Sequence, residues 1–303
     1  MDGIINIYKE KGFTSHDVVA VVRKTLNQKK VGHTGTLDPD AEGVLPICLG
    51  KGTKISELIM SGNKKYRAEV TLGIETTTED IWGEIISEKE VNFNENEIKN
   101  AVLSFIGDYY QTPPMYSAIK INGKKLYEIA RKGQEIEREK RLVVIDDIEI
   151  ISFNPPNKFV IDVSCHKGTY IRTLCRDIGE KLKCGACMSS LTRLKTGVFN
   201  IENAVKLDTL KLLAKENRLD EVIIPIDKVL TGYNKTYISQ KGDKFLHNGG
   251  KVYEYAFLKT ENEIKLDDET LVYDSLGEFC GIYKFTMDEE KNLICVKPVK
   301  VML

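Results

Sequence analysis

Residues 32–39, Gly-His-Thr-Gly-Thr-Leu-Asp-Pro, form the stretch on which the interpretation of this chain depends. The two glycines allow backbone conformations that other residues avoid. Pro39 favours an extended conformation at Asp38, and Leu37 can hold such a loop against a core. The pattern is typical of a loop that fixes the angle of one carboxylate, that of Asp38. The alternative is an Asx turn, the usual structure of Asp-Pro pairs in loops.

The segments on either side of this loop predict an α/β domain. Residues 4–8 indicate a short apolar strand, and Ser15 is predicted to cap the helix that follows. Residues 44–50 indicate a buried strand. Residues 64–75 alternate between apolar and polar side chains, as a half-buried strand does. A glycine turn then predicts a helix over residues 170–182.

The length of 303 residues suggests two domains. Residues 1–230 form the predicted first domain, with an excursion over about 111–141 that contains a hairpin turn at Asn122-Gly123. Residues 233–303 contain short strand patterns separated by turns, with no long helical pattern. They predict a small β-rich second domain.

Several classes of protein are disfavoured by composition. The N-terminal residues lack a basic region followed by a long apolar run, so we expect no signal peptide. No segment of the sequence approaches the ~20 apolar residues of a membrane span. The seven cysteines are scattered and odd in number, against a disulfide framework. Cys184 and Cys187 have CxxC spacing but lack a second ligand pair, so no metal and no cofactor is predicted.

The charge distribution favours a polyanion as partner. The net charge is −1, but residues 1–67 hold 11 Lys/Arg against 7 Asp/Glu, residues 111–141 hold 8 against 4, and residues 161–197 hold 7 against 3. Residues 68–110, in contrast, hold 2 against 10. Three basic blocks suggest one positive face on a nearly neutral protein. Ordinary solvated lysines would give the same counts.

Three further residues are candidates for chemistry. Arg172 lies in the first turn of the helix predicted over 170–182, where the helix dipole opposes a cation. Such a placement favours an anionic partner, either a phosphate or a carboxylate such as that of Asp38. Tyr66 and Tyr170 could stack on a nucleobase. Packing in the core, or on a helix for Arg172, is the alternative for each.

The sequence closely resembles the TruB family of tRNA pseudouridine synthases over residues 3–230. The likeness is carried, in family order, by the segments GIINIYKEKGFTSHDVV (3–19), GHTGTLDPDAEGVLPICLGKGTK (32–54), KKYRAEVTLG (64–73), PPMYSAIKINGKKLYE (113–128), HKGTYIRTLCRDIGEKL (166–182) and SSLTRLKTG (189–197). The last module resembles the small PUA RNA-binding domain. This resemblance implies a mixed-sheet α/β (α+β) catalytic domain with flanking helices, a thumb at about 111–141, and a PUA-like β-barrel.

The resemblance also implies the reaction and its residues. The reaction would be isomerisation of uridine to pseudouridine at position 55, in the T loop of tRNA, after the base is flipped out. Asp38 would be the nucleophile, Arg172 its partner, and Tyr66 the residue that stacks on the uracil and takes the C5 proton. The remaining implied site residues are His33, which would enter the T loop, Tyr170 and Leu191, which would line the pocket, and Lys9, in a mainly structural motif.

The same resemblance implies a cytoplasmic monomer that needs no membrane and no obligate protein partner. Three positions depart from the family pattern: Glu10 replaces a proline, Thr77 replaces an aspartate, and Cys187 stands where histidine is frequent, while Asp80 and Gly83 are kept. Two alternatives stay open. One is the catalytic subunit of a guide-RNA pseudouridylation complex, which we expect to carry extra terminal segments. The other is a tRNA-folding chaperone with incidental isomerase activity.

Overall fold

The computed structural model describes residues 1–92, 94–121 and 123–303. In it, the alternating residues at 64–72 form a central strand of a large mixed sheet. Tyr66, Ala68, Val70 and Leu72 are all buried, whereas Arg67 is exposed. The alternation therefore marks a strand with one face on the core, as the pattern predicts.

Two compact units make up the chain. The larger unit consists of Ile5–Cys48 and Ile55–Val222, and the other consists of Met1–Ile4, Leu49–Lys54 and Ile223–Leu303. The domain bounds expected from the sequence, 1–230 and 233–303, stay predictions.

The strands up to residue 224 are β1 Gly3–Lys9, β2 Val31–His33, β3 Glu42–Leu49, β4 Lys64–Leu72, β5 Ile74–Thr76, β6 Ile85–Glu88, β7 Gly107–Gln111, β8 Lys120–Ile121, β9 Lys124–Lys125, β10 Arg141–Asn154, β11 Lys158–Cys165, β12 Ala186–Thr196, β13 Phe199–Asn200 and β14 Ile223–Ile224. The helices up to residue 229 are α1 Ser15–Thr25, α2 Ser56–Ser61, α3 Glu95–Leu103, α4 Leu126–Ala130, α5 Ile171–Lys181, α6 Leu207–Lys215 and α7 Ile226–Val229.

The main sheet of the larger unit runs β1-β3-β12-β4-β11-β10-β7. Strand β12 pairs in parallel with β3 and antiparallel with β4, so the sheet is mixed. The core on one side of β4 is filled by residues of α3 and α5, including Val102, Leu174 and Ile178. The predicted mixed α/β fold with flanking helices is confirmed.

Local sequence signals located most elements, with small displacements. Thr14, not Ser15, caps α1: its hydroxyl accepts the amide of Asp17, whose carboxylate accepts the amide of Thr14. Ser15 is buried instead and bonds elsewhere. The prediction of Ser15 as cap was therefore wrong by one residue, because Thr14 has the extended backbone that a cap needs.

The predicted excursion at 111–141 contains the short pair β8–β9 and helix α4. Asn122, half of the predicted turn, lies outside the described residues, while Gly123 has the positive φ of +79° that the turn requires.

The smaller unit contains a six-stranded sheet in the order β16-β20-β19-β18-β15-β17. Its elements are β15 Asn234–Ile238, α8 Gln240–His247, β16 Val252–Tyr253, β17 Phe257–Thr260, β18 Glu269–Tyr273, β19 Phe279–Asp288 and β20 Leu293–Val301. This sheet is consistent with the predicted PUA-like domain. The eight-residue α8 was not predicted. Among the described residues, no helix is both long and apolar enough to cross a membrane.

Candidate active site

The loop that carries Asp38 connects β2 with β3 and is held from α1. The hydroxyl of Ser15 accepts a hydrogen bond from the amide of Leu37 at 2.9 Å and donates to the carbonyl of Leu37 at 3.3 Å. Leu37 itself is buried in the core. The residue before Asp38 is therefore fixed through both its backbone and its side chain.

Lys9 holds the same loop through its buried side chain. Its ammonium group is completely buried and donates to the carbonyls of Pro39 at 3.0 Å, Ala41 at 2.6 Å and Glu10 at 3.2 Å. Burial lowers the pKa of Lys9 to about 8, although the nearby carboxylate of Asp38 opposes this effect. All three donors of the amine thus point at backbone carbonyls, two of which follow Asp38. This arrangement positions the loop.

Arg172 and Asp38 form an ion pair. Tyr170 is the N-cap residue of α5, so Arg172 lies in the first turn of that helix. Nε of Arg172 lies 3.0 Å from Oδ2 of Asp38. The two Nη atoms donate to the carbonyls of Thr78 and Tyr116, each at 2.9 Å. The side chain of Arg172 is 6% exposed and that of Asp38 is 41% exposed. The guanidinium therefore holds the carboxylate from the protein side and leaves another side open.

Asp80 is a second carboxylate at Arg172, and no role was predicted for it from the sequence. Its Oδ2 lies 3.6 Å from Nη1 of Arg172, and its Oδ1 accepts the hydroxyl of Thr78 at 2.6 Å. Burial raises the pKa of Asp80, whereas Thr78 and Arg172 oppose the rise. The available signal was the Asp-x-x-Gly turn. The turn is directed toward Arg172 by the bridge between Asp80 and Met188 of β12. No local sequence pattern predicts that bridge.

Tyr66 lies in the core cluster that also contains Leu37 and Leu191. Burial raises the pKa of its hydroxyl, and the guanidinium of Arg193 opposes the rise. Arg193 pairs with Tyr66 across β12 and β4 and is fully buried, with Nε donating to the carbonyl of Val44 at 2.7 Å and Nη2 to that of Gly35 at 3.3 Å. Arg193 was not predicted as a site residue, since a strand arginine in a basic block gives no sign of burial.

Tyr170 is held against the end of β7. Its amide donates to Oε1 of Gln111 at 2.8 Å, and Nε2 of Gln111 donates to the carbonyl of Tyr170 at 2.9 Å. Burial raises the pKa of the Tyr170 hydroxyl, which the positive charge of Arg172 opposes. The negative charge of Asp38 contributes to the raised pKa of both Tyr170 and Tyr66. Both hydroxyls therefore lie within electrostatic reach of Asp38.

His33 ends β2 and is half-buried. Its ring lies edge-on to that of His16, with 5.2 Å between the centroids. Burial lowers the pKa of His33, and the positive charges of His16 and Arg193 lower it further. Nδ1 of His33 is buried without a hydrogen-bond partner among the described protein atoms. The structure thus favours a neutral imidazole here.

Among the described residues, one group could offer three ligand atoms to a metal: His247, Asp274 and Cys280, whose ligand atoms lie within 4.8 Å of one another. Nε2 of His247 lies 3.1 Å from Oδ2 of Asp274, and Oδ1 accepts the amides of Leu276 and Glu278. Burial raises the pKa of Cys280 to about 12, which opposes the thiolate that a metal requires. These contacts fit an ion pair that closes the turn after β18.

Two family models match adjoining parts of the chain. Residues 23–171 match the model described as TruB family pseudouridylate synthase (N terminal domain). Residues 172–231 match the model described as tRNA pseudouridylate synthase B C-terminal domain. Together they span the candidate site residues except Lys9.

Curated relatives cover the full length. The tRNA pseudouridine synthase B of Alkaliphilus oremlandii is 51% identical over 302 residues, which are 100% of this chain and 99% of the relative. The protein of the same name from Lachnoclostridium phytofermentans is 47% identical over 312 residues and 100% of both chains. A solved structure titled as a Cbf5-Nop10-Gar1 complex contains a chain with 27% identity and a TM-score of 0.73, over 99% of this chain and 85% of that one.

Proposed function

Because the chain belongs to the TruB family of pseudouridylate synthases, we propose that it isomerises uridine to pseudouridine at position 55, in the T loop of tRNA, with Asp38 as nucleophile. The names of the full-length relatives support tRNA as the substrate. The basic blocks at 1–67, 111–141 and 161–197 support a nucleic-acid partner.

The observation that carries this proposal is the ion pair between Asp38 and Arg172, with the Tyr66 hydroxyl within electrostatic reach of Asp38. Carboxylates are ionised at neutral pH and can attack as covalent nucleophiles without a metal. Nε of Arg172 contacts one carboxylate oxygen, while 41% of the Asp38 side chain stays exposed. A uridine can therefore approach a carboxylate whose direction is already fixed.

The chemistry requires one glycosidic bond to break and one carbon–carbon bond to form. Asp38 attacks C6 of the uracil or C1′ of the ribose, and the bond from C1′ to N1 breaks. C5 then joins C1′, the bond to Asp38 breaks so that the carboxylate is released, and N1 takes up a proton. The C5 proton must leave, and Tyr66 is the group proposed to accept it. Burial raises the pKa of the Tyr66 hydroxyl, whereas Arg193 stabilises the phenolate, which is the form that can accept the C5 proton. Arg193 thus assists any step in which that hydroxyl loses its proton.

The other site residues serve the extruded base and the loop from which it comes. Tyr170 and Leu191 line the uracil pocket, and His33, as a neutral ring, enters the space that the flipped base leaves. The thumb at 111–141 and the PUA-like module at 233–303 hold the T arm. The protein acts as a cytoplasmic monomer without an obligate partner protein or cofactor.

A guide-dependent activity is the second candidate, because the chain is structurally similar to a chain of the Cbf5-Nop10-Gar1 complex. Identity of 51% over the full length to a tRNA pseudouridine synthase B, against 27% to that chain, supports the stand-alone reaction. Incubation of the purified protein with an unmodified tRNA transcript, followed by carbodiimide-stop mapping of pseudouridine, separates the two. A guide-dependent enzyme would leave the transcript unchanged.

Asp38→Asn should abolish isomerisation and leave tRNA affinity within a few-fold of the original, because binding is spread over many phosphate contacts. The matched control is Asp40→Asn, two residues along the same loop, which should retain turnover. Residual turnover of Asp38→Asn above about one per cent would contradict the nucleophile assignment. If the protein were a tRNA-folding chaperone with incidental isomerase activity, the Asp38 variant would still fold tRNA. Its folding function would not depend on isomerisation.

A further inference from the structure

Trp82 is the single tryptophan of the chain and has no part in the reaction proposed above. Its side chain is 42% exposed, although tryptophan gains more from burial than almost any other residue. The ammonium of Lys11 lies over the indole, 4.7 Å from the ring centroid. An exposed indole with a cation on it is the combination that binds nucleobases and phosphates in single-stranded RNA.

The backbone under Trp82 is rigid. Its amide donates to Oδ1 of Asp80 at 3.3 Å, and the amide of Ile81 donates to the carbonyl of Met188 in β12 at 2.9 Å. A Cβ on Gly83 would lie 2.3 Å from Oγ1 of Thr78, so the turn closes tightly after Trp82. The indole is thus presented by a fixed turn, and little backbone entropy is lost when it binds a ligand.

Two chains of contacts connect this pair with the candidate nucleophile. From Trp82, the first runs through Asp80 to Arg172, which lies 3.0 Å from Asp38. From Lys11, the second runs through the next residue, Gly12, whose amide donates to the carbonyl of Pro39 at 2.9 Å. Trp82 and Lys11 therefore lie at the rim of the site that contains Asp38.

We propose that Trp82 and Lys11 form a nucleotide subsite beside the reaction centre. The indole stacks on an unpaired base of the substrate RNA next to the flipped uridine, and Lys11 contacts the phosphate of that nucleotide. This inference rests on the proposed function, since its ligand is the RNA substrate. Stacking suits this place because it accepts any base, while the base-specific chemistry occurs at Asp38.

Because Trp82 is the only tryptophan, its own fluorescence reports the contact. With excitation outside the tyrosine absorption band, emission should be quenched when the unmodified transcript or an isolated T-arm hairpin binds to the Asp38→Asn protein, which does not turn over. Iodide should quench the free protein strongly and the complex weakly. Emission and iodide access that stay the same in the complex would overturn the proposal.

Affinity gives the second measurement. Trp82→Ala should weaken hairpin binding by between about five-fold and about 150-fold, the range that base–aromatic stacking spans. Trp82→Phe keeps a ring and should lose much less. Ile86→Ala is the matched control, since Ile86 is a 64% exposed apolar residue of the neighbouring strand β6. It should leave affinity unchanged.

The two proposals fail in different ways. If the unaltered protein forms no pseudouridine in the transcript, the proposed function is wrong. If it does so while Trp82→Ala binds the hairpin as tightly as the original, the subsite is wrong and Trp82 only supports Asp80. An equal loss of affinity in Ile86→Ala would also overturn the subsite, because the binding would then follow apolar area and not the indole.

Discussion

Arg172 occupies a position where helix electrostatics disfavour a cation, since the N-terminal end of α5 carries partial positive charge. Two carboxylates offset this, Asp38 at 3.0 Å and Asp80 at 3.6 Å, together with the carbonyls of Thr78 and Tyr116. Loss of either carboxylate would leave a buried cation underpaired, which is costly. The placement is therefore explained by the anions around it.

Tyr66→Phe should reduce turnover far more than it reduces tRNA affinity. The phenyl ring can still stack on the uracil, but it has no hydroxyl for a proton transfer. Single-turnover pseudouridine formation and a filter-binding affinity, measured on the same transcript, test this split.

Tyr66→Leu removes the aromatic ring as well and should damage both quantities. Wild-type turnover in the Phe variant would assign Tyr66 to packing alone, in the cluster that contains Leu37 and Leu191.

Helix α5 is tied to the turn before Asp80 by a buried polar network. The carboxylate of Glu79 accepts the hydroxyl of Thr173 at 2.5 Å and pairs with Arg176, which also contacts Asp177 at 2.6 Å. Glu79 is buried and has a φ of +65°, unusual for a residue with a side chain. Burial raises its pKa, and the charge of Arg176 opposes the rise. Thr173 directly follows Arg172, so this network holds the first turn of α5, in which Arg172 lies.

Glu79→Gln should lower the free energy of unfolding by about 1–3 kcal/mol, because the buried partners Thr173 and Arg176 lose a charged acceptor. Urea denaturation measures the change. Glu90→Gln replaces an exposed glutamate in a nearby loop and should stay within about 0.5 kcal/mol of the original. An equal effect of both substitutions would show that the network contributes little.

Elements defined by local chemistry were predictable, and those defined by distant pairing were not. The alternation at 64–75 and the Gly168 turn located β4 and α5 to within a few residues. Helix α8 was missed because its eight residues include a glycine, Gly242, and few apolar positions. Asp38 and Arg172 were found through loop and helix chemistry. Asp80 and Arg193 were not, because both act through strand pairing across more than one hundred residues.

Across the whole molecule, positive charge is concentrated in three sequence blocks while the net charge is −1. RNA binding should therefore depend steeply on salt, since bound lysines and arginines displace counterions from phosphates. Neutralising Lys124, Lys125, Arg131 and Lys132 of the thumb should flatten the slope of log affinity against log salt by up to about three units, at ~0.7–0.9 for each lost contact.

The control for net charge neutralises four cations on or near α6: Lys206, Lys211, Lys215 and Arg218. Lys206, Lys211 and Arg218 face carboxylates within the protein, so they should release few counterions. If the thumb variant keeps the original slope, or if both variants flatten it equally, the RNA does not bind across the thumb.

The hydrogen bonds around Asp38 have a consequence for motion. Residues 34–41 form no regular secondary structure, yet the amides of Thr34, Leu37 and Ala41 donate to Pro46, Ser15 and Asp38. In hydrogen–deuterium exchange these three amides should therefore exchange as slowly as those of β3, and not at the rate of an ordinary surface loop. The carboxylate of Asp38 should thus sit on backbone that opens only when the sheet itself opens. The slow step should therefore be the unstacking of the RNA base, and not a rearrangement of the loop that carries Asp38.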